Sequence, residues 1–115
     1  MRSGDFASFG PITASKELSL LTTIDSYIST PGEILKEEFL DELGISQYRL
    51  AKAIGKPQSA ISDIIHGKRT ITPEMAYLIG TALGTTPDFW LQLQTTYQLK
   101  TLNPDALPPV EALVN

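Results

Sequence analysis

Residues 46–69, SQYRLAKAIGKPQSAISDIIHGKR, decide the fold. Counting from Gln47, Ala51 follows four positions later, Gly55 eight, Ile61 fourteen and Ile64 seventeen. Two short helices that cross steeply need a side chain no larger than a methyl where they touch, which Ala51 supplies. They also need a residue free to take positive φ where the first helix stops, which Gly55 supplies. Pro57 fixes φ near the start of the second helix, where a missing N–H costs nothing. The spacing predicts a helix-turn-helix with the turn at Gly55-Lys56-Pro57 and with Ile61 and Ile64 buried against Leu50 and Ala51.

At about 100° per residue, Ile61, Ile64 and Ile65 fall on one side of the second helix and Ser59, Ser62, Asp63 and His66 on the other. A helix entering the major groove needs small hydrogen-bonding side chains at its N-terminal end, where the backbone comes close and the helix dipole favours phosphate. Gln58, Ser59 and Ser62 meet that need. An ordinary helical hairpin with a solvated outer face is the plain alternative, and charge placement argues against it. The chain carries 9 Lys+Arg against 13 Asp+Glu, a net of −4. Between Ser46 and Thr72 the five cations Arg49, Lys52, Lys56, Lys68 and Arg69 face Asp63 alone, a net of +4 that leaves −8 on the rest. Such segregation puts a basic face on an acidic body and attracts a phosphate backbone over roughly 10 Å. The candidate DNA contacts are Gln58, Ser59 and Ser62 toward base edges and Lys52, Lys56, Lys68 and Arg69 toward phosphates, with Gln47, Ala60 and His66 completing the set.

At 115 residues the chain is long enough for one domain with a modest core. Thr30-Pro31, Thr72-Pro73 and Thr86-Pro87 each place a capping hydroxyl before a proline at the first helical position, and Glu33 completes a capping box at the first. The helix from Pro31 carries Ile34, Leu35, Phe39, Leu40 and Leu43 as a broad apolar stripe and stops at Gly44. Ser46 caps the next helix. The helix from Thr72 carries Met75, Ile79, Ala82 and Leu83 and stops at Gly84, and a fifth starts at Thr86 with Phe89, Trp90, Leu93 and Tyr97 as its packing face. The expectation is an all-α fold with five helices in residues 30–99, an N-terminal arm over 1–29 and a Pro-rich tail over 100–115. The arm's Leu20, Leu21, Ile24, Tyr27 and Ile28 suit one side of a helix but are also β-rich, and such an arm is either packed on the body or ordered by a partner. No stretch approaches the roughly 18 apolar residues of a membrane span, and no signal peptide is evident, so a soluble, cytoplasmic protein is expected.

Catalysis finds little to work with. His66 is the only histidine, cysteine is absent, and no glycine loop suits a phosphate. Glu33 and Glu37 stand one turn apart, a spacing so common on surface helices that no metal site is expected from it. Neither an enzyme nor a cofactor is indicated.

The run from Pro31 to Leu99 resembles the HigA antitoxins of the λ-repressor-like (Xre) helix-turn-helix proteins. The markers are Pro-Gly-Glu opening the first helix, IS-x-x-x-LAKAIG, ISDII-x-GKR-x-IT, and TALGTTPDFWL-x-LQ ending near Tyr97. It departs from the family pattern at Thr30, Ala60 and His66, where His, a long polar residue and Asn are common, and its segment before Pro31 is longer than in many relatives. The resemblance implies a homodimeric repressor that binds a palindromic operator in double-stranded DNA. It also implies a partner, a small basic HigB-like toxin of the RelE-like mRNA endonuclease kind. The acidic residues Glu37, Glu38 and Asp41 are the candidate toxin contacts by charge, and Leu20, Leu21, Ile24, Tyr27 and Ile28 by apolar area. Phe89, Trp90, Leu91, Leu99 and Leu102 are the candidate two-fold contact. A stand-alone Xre repressor without a toxin, and an interaction module that does not bind DNA, are the alternatives.

Overall fold

The computed structural model describes residues 16–21 and 29–115. Of the apolar residues in the arm, Ile24, Tyr27 and Ile28 lie outside the described residues. Residues 16–21 are helical (α1). A second rod, α2, runs through Pro31–Ile34, a π-helical stretch Leu35–Leu40, and Asp41–Leu43. It is followed by α3 (Gln47–Ile54), α4 (Gln58–Ile65), α5 (Pro73–Leu83) and α6 (Pro87–Thr101), with a short 3₁₀ turn at Pro104–Ala106. The described residues contain no strand, and the five helices between residues 30 and 99 are the expected ones.

Local chemistry sets the helix ends. The Thr30 hydroxyl accepts from the Glu33 N–H and the Glu33 carboxylate accepts from the Thr30 N–H, both at 3.0 Å, the complete capping box. Ser46, Thr72 and Thr86 cap α3, α5 and α6 by accepting from the N–H groups of Arg49, Met75 and Phe89. Gly55 takes φ 71° at the end of α3, the left-handed conformation the turn requires, and Pro57 is extended just ahead of α4.

The π-helical stretch in α2 was not expected. Ile34, Leu35, Phe39 and Leu40 are all buried, so Ile34 and Phe39, and again Leu35 and Leu40, must share a face although five residues separate each pair. In a regular α-helix residues five apart diverge by about 140° around the axis. The wider turn, with the Asp41 N–H donating to the Lys36 carbonyl, brings both pairs onto the core. One consequence is a correction: Leu43, expected to continue the apolar stripe, is turned outward and 44% exposed. Ala82 is likewise exposed, and Ala76 and Gly80 join Met75, Ile79 and Leu83 on the buried side of α5.

The core has two centres. Phe39 of α2 meets Phe89 and Trp90 of α6 at centroid separations of 5.9 and 5.2 Å, and those two rings meet edge-on at 4.9 Å. The Trp90 indole N–H donates to the buried Thr85 hydroxyl at 2.6 Å, so the ring enters the core with its polar atom satisfied. Around the second centre α3 packs on α4, and Leu50, Ala51, Ile61 and Ile64 are buried together as expected. Gly32 determines how α2 reaches this centre. A methyl group there would stand 2.2 Å from the Ile64 carbonyl oxygen and 2.8 Å from the Ile65 Cα, so the start of α2 lies directly on the backbone of α4. After α6, residues 102–115 are exposed throughout.

Two substitutions test this packing. Ile61→Ala should cost about 2 to 5 kcal/mol in a denaturant melt, because Ile61 is fully buried. Gly32→Ala should cost about 1 to 3 kcal/mol by forcing backbone from backbone. A melt of Gly32→Ala that overlays the wild type would mean that α2 does not rest on α4.

Candidate nucleic-acid interface

α4 presents its N-terminal end to solvent because every apolar residue it has points the other way. Ile61, Ile64 and Ile65 are buried, whereas Gln58, Ser59 and His66 are exposed and Ser62 and Asp63 half-buried. Ala60 requires a correction: at 4% exposure it belongs to the core and offers no side chain to a base. Helical spacing explains this, since Ala60 stands four residues before Ile64 and shares its face. The smallness of Ala60 instead lets α4 sit close to the body.

Lys56 and Arg69 stand beside the N-terminal end of α4, whereas Lys52 lies on α3 and Lys68 follows the C-terminal end of α4, its N–H donating to the Asp63 carbonyl. Lys52, Lys68 and Arg69 are exposed and Lys56 is half-buried. Lys56, Ser59 and Arg69 line one cleft of about 360 Å³ with Pro57, Ala60, Thr72, Glu74 and Met75, beside the start of α4. Two of the cations carry an acidic neighbour: Lys56 Nζ lies 3.3 Å from Glu74 and Arg69 Nη2 lies 3.4 Å from Asp63. Exposed pairs of this kind are worth little, so a phosphate can take the carboxylate's place. The His66 ring Nδ1 lies 2.8 Å from the Ser62 carbonyl. A carbonyl only accepts, so Nδ1 carries the proton and Nε2 remains for an outward contact. Gln47 is half-buried at the start of α3.

Tyr48, Arg49 and Gln94 are absent from the sequence-derived set. Tyr48 is 59% exposed on α3, and the Lys52 ammonium stands 6.0 Å from its ring centroid. Arg49 is exposed on the same helix. Gln94 acts from a distance: its carboxamide oxygen accepts from the Ile71 N–H at 2.5 Å and its NH₂ donates to the Ile71 carbonyl at 2.9 Å. One side chain thus pins the loop that carries Lys68 and Arg69, while Ile71 is buried. The sequence did hold a signal for this residue, a polar side chain four positions after Trp90 on the packing face of α6.

The expected toxin contacts are rearranged. Leu20 is 6% exposed and Leu21 half-buried against the core, so neither is available on the surface. Most acids of α2 have internal partners: Glu33 is spent in the capping box, Asp41 accepts from Lys36 at 2.8 Å, and Glu38 and Glu42 face Lys16. The hydrogen bond from Lys36 to Asp41, with the charge of that carboxylate, raises the Lys36 pKa above its ordinary value. Glu37 is exposed. The expected two-fold contact also changes, because Phe89 and Trp90 are buried within one protomer; Leu91 is half-buried, and Leu99 and Leu102 are exposed. Among the described residues there is no group of three or more His, Cys, Asp or Glu placed to hold a metal, and no helix long and apolar enough to cross a membrane.

A helix-turn-helix family model matches residues 35–90, which takes in α3, α4 and α5 with most of α2 and the first turn of α6. Antitoxin HigA-1 of Vibrio cholerae is 41% identical over 68 residues, 59% of this chain and 64% of that protein. The uncharacterized HTH-type transcriptional regulator YddM of Escherichia coli is 39% identical over 69 residues, 60% of this chain and 72% of that protein. The chain belongs to the Xre-type helix-turn-helix family that includes the HigA antitoxins. Among solved structures, Pseudomonas aeruginosa antitoxin HigA with its higBA promoter is similar at a TM-score of 0.61 and 39% identity, covering 64% of this chain and 80% of that one. The relatives of this chain are named as antitoxins, HTH-type transcriptional regulators and virulence-associated proteins.

The Gln94 clamp yields a prediction for the isolated protein. Gln94→Leu keeps the bulk and removes both hydrogen bonds, so it should cost about 1 to 3 kcal/mol. Amide exchange at Ile71 should rise more than exchange within α3. Unchanged protection at Ile71 would mean that the loop is fixed by something else.

Proposed function

We propose that this chain is the antitoxin of a HigBA-type pair, repressing its own operon and neutralising a RelE-like mRNA endonuclease. The observation that carries the reading is the polar N-terminal end of α4 flanked by Lys56 and Arg69, with Lys52 and Lys68 also exposed, on an otherwise acidic molecule. The relative of known structure with its promoter DNA supports it. In this reading residues 30–99 are the DNA-binding unit, Gln58, Ser59 and Ser62 meet base edges, and His66 and Gln47 flank them. The cations hold the phosphates and fix register without reading sequence. An antitoxin of this kind acts in the cytoplasm, where its operator and the ribosome are.

One α4 reads only a few base pairs, so selectivity calls for two copies about a two-fold axis, with half-sites about 34 to 36 Å apart. Leu99, Leu102, Leu107 and Val110, exposed at the end of α6 and in the tail, are the apolar area for that contact. Light scattering should therefore give a dimer that weakens when residues 102–115 are deleted. A second reading, a regulator with no toxin, is favoured by the relative named simply as a transcriptional regulator.

Mobility shifts on the chain's own upstream region test the DNA half of the proposal. Lys68→Ala or Arg69→Ala should weaken specific and random DNA alike and flatten the salt slope by about one unit per contact in each half-site. Gln58→Ala should narrow the gap between operator and random DNA by roughly 1 to 3 kcal/mol per half-site. Absence of any shift at low salt would sink DNA binding. Co-expression with the neighbouring reading frame and a pull-down separate antitoxin from stand-alone regulator.

A further inference from the structure

The N-terminal helix α1 is seated on the body by three different chemistries. Lys16 lies 2.5 Å from Glu42 and 3.8 Å from Glu38, with its ammonium 5.3 Å from the Phe39 ring centroid. Glu17 accepts from the Thr86 N–H at 2.8 Å and from the Thr86 hydroxyl at 3.3 Å. Leu20 enters the core. The Glu17 contact repairs a defect elsewhere in the chain. In α2 the third helical residue, Glu33, accepts from the N–H of its own cap, but in α6 the third residue is Phe89, which has nothing to accept with. Glu17, 69 residues away, supplies the missing carboxylate.

We infer that this face of α2 and α6 is a protein-docking surface that the chain fills with its own α1 until a partner displaces it. The surface selects one helical turn offering a cation, a carboxylate beside it and a leucine three residues further on. The occupant we assign is a segment of a basic partner protein, on charge complementarity: Glu38 and Glu42 need a cation, and Glu37, exposed one turn from Asp41, extends the acidic ground around them. Exchange is feasible because the carboxylate ends of the ion pairs that seat α1 are open to solvent, where such pairs contribute little. The surface itself stands on these contacts alone; that the partner is the toxin rests on the proposed function.

The test uses a fluorescein-labelled peptide of residues 12–29 and the full chain. Tethered α1 meets its site at an effective concentration of order millimolar, so the wild type should bind the peptide poorly. The combined variant Lys16→Ala, Glu17→Ala and Leu20→Ala should bind it at least roughly tenfold more tightly by anisotropy. Adding Glu38→Lys and Glu42→Lys should abolish that gain. Lys16→Ala with Glu17→Ala, which leaves Leu20 in the core, should show a smaller gain and guards against a folding defect. Equal peptide binding by wild type and a folded opened variant overturns the inference, as does a change of oligomeric state on opening, which would assign α1 to exchange between copies. If the peptide behaves as expected while the neighbouring frame's product binds no variant, the antitoxin reading fails and the docking surface stands. If that product binds wild type and opened variant at equal rates and the peptide binds neither, the docking surface fails and the antitoxin reading stands.

Discussion

The candidate interface depends on how the eight residues of α4 are held by their apolar root. A helix of eight residues is too short to persist alone in water, so its existence at the surface is a tertiary property. Three buried isoleucines, with Ala60 between them and the body, fix its rotation, and rotation fixes which residues face outward. The backbone contact at Gly32 then fixes its tilt, because nothing larger than hydrogen stands between α2 and the last turn of α4. Rotation and tilt together place Gln58 and Ser59 at the exposed end, with Lys56 and Arg69 in the cleft beside Ser59.

That loop shows how a rigid body carries charged groups on a short irregular segment. The buried Ile71 and the two-way Gln94 clamp hold the chain just after Lys68 and Arg69, so these exposed cations hang from a fixed backbone. Fixing the backbone reduces the entropy that binding any partner would cost. Gln94 belongs to α6, which reaches the α2 aromatic cluster through Phe89 and Trp90. The aromatic centre therefore supports the basic face as well as the core.

The acidic half of the molecule is organised differently. Among the described residues several of its carboxylates have local partners: Glu33 a helix cap, Asp41 Lys36, Glu38 and Glu42 together Lys16, Glu17 the start of α6. Part of the negative charge outside the basic segment is thus used in local contacts that seat α1 and finish helix ends. The basic face has fewer such matches, Lys56 with Glu74 and Arg69 with Asp63, and both are exposed and exchangeable.

The sequence by itself determined what depends on near neighbours in the chain. Capping threonines before prolines, the left-handed Gly55 and the period of Ile61, Ile64 and Ile65 act over a few residues, so their effects on helix limits and on the buried side of α4 could be read from spacing. Tertiary structure decided whatever needed a partner remote in the chain. The π-helical turn that hides Leu40 and exposes Leu43 arises because α2 must match a core it does not itself supply. The same holds for Ala60, read as a surface position and in fact packed inward, and for Leu20, drawn into the body, whereas Phe89 and Trp90 take the packing role their spacing predicted, with Phe39 as the partner that only the fold supplies. Glu17 reaching Thr86 and Gln94 reaching Ile71 are contacts across 69 and 23 residues. Periodicity records which face of a helix is apolar, but only packing decides which neighbour that face meets and which polar group finds a partner there.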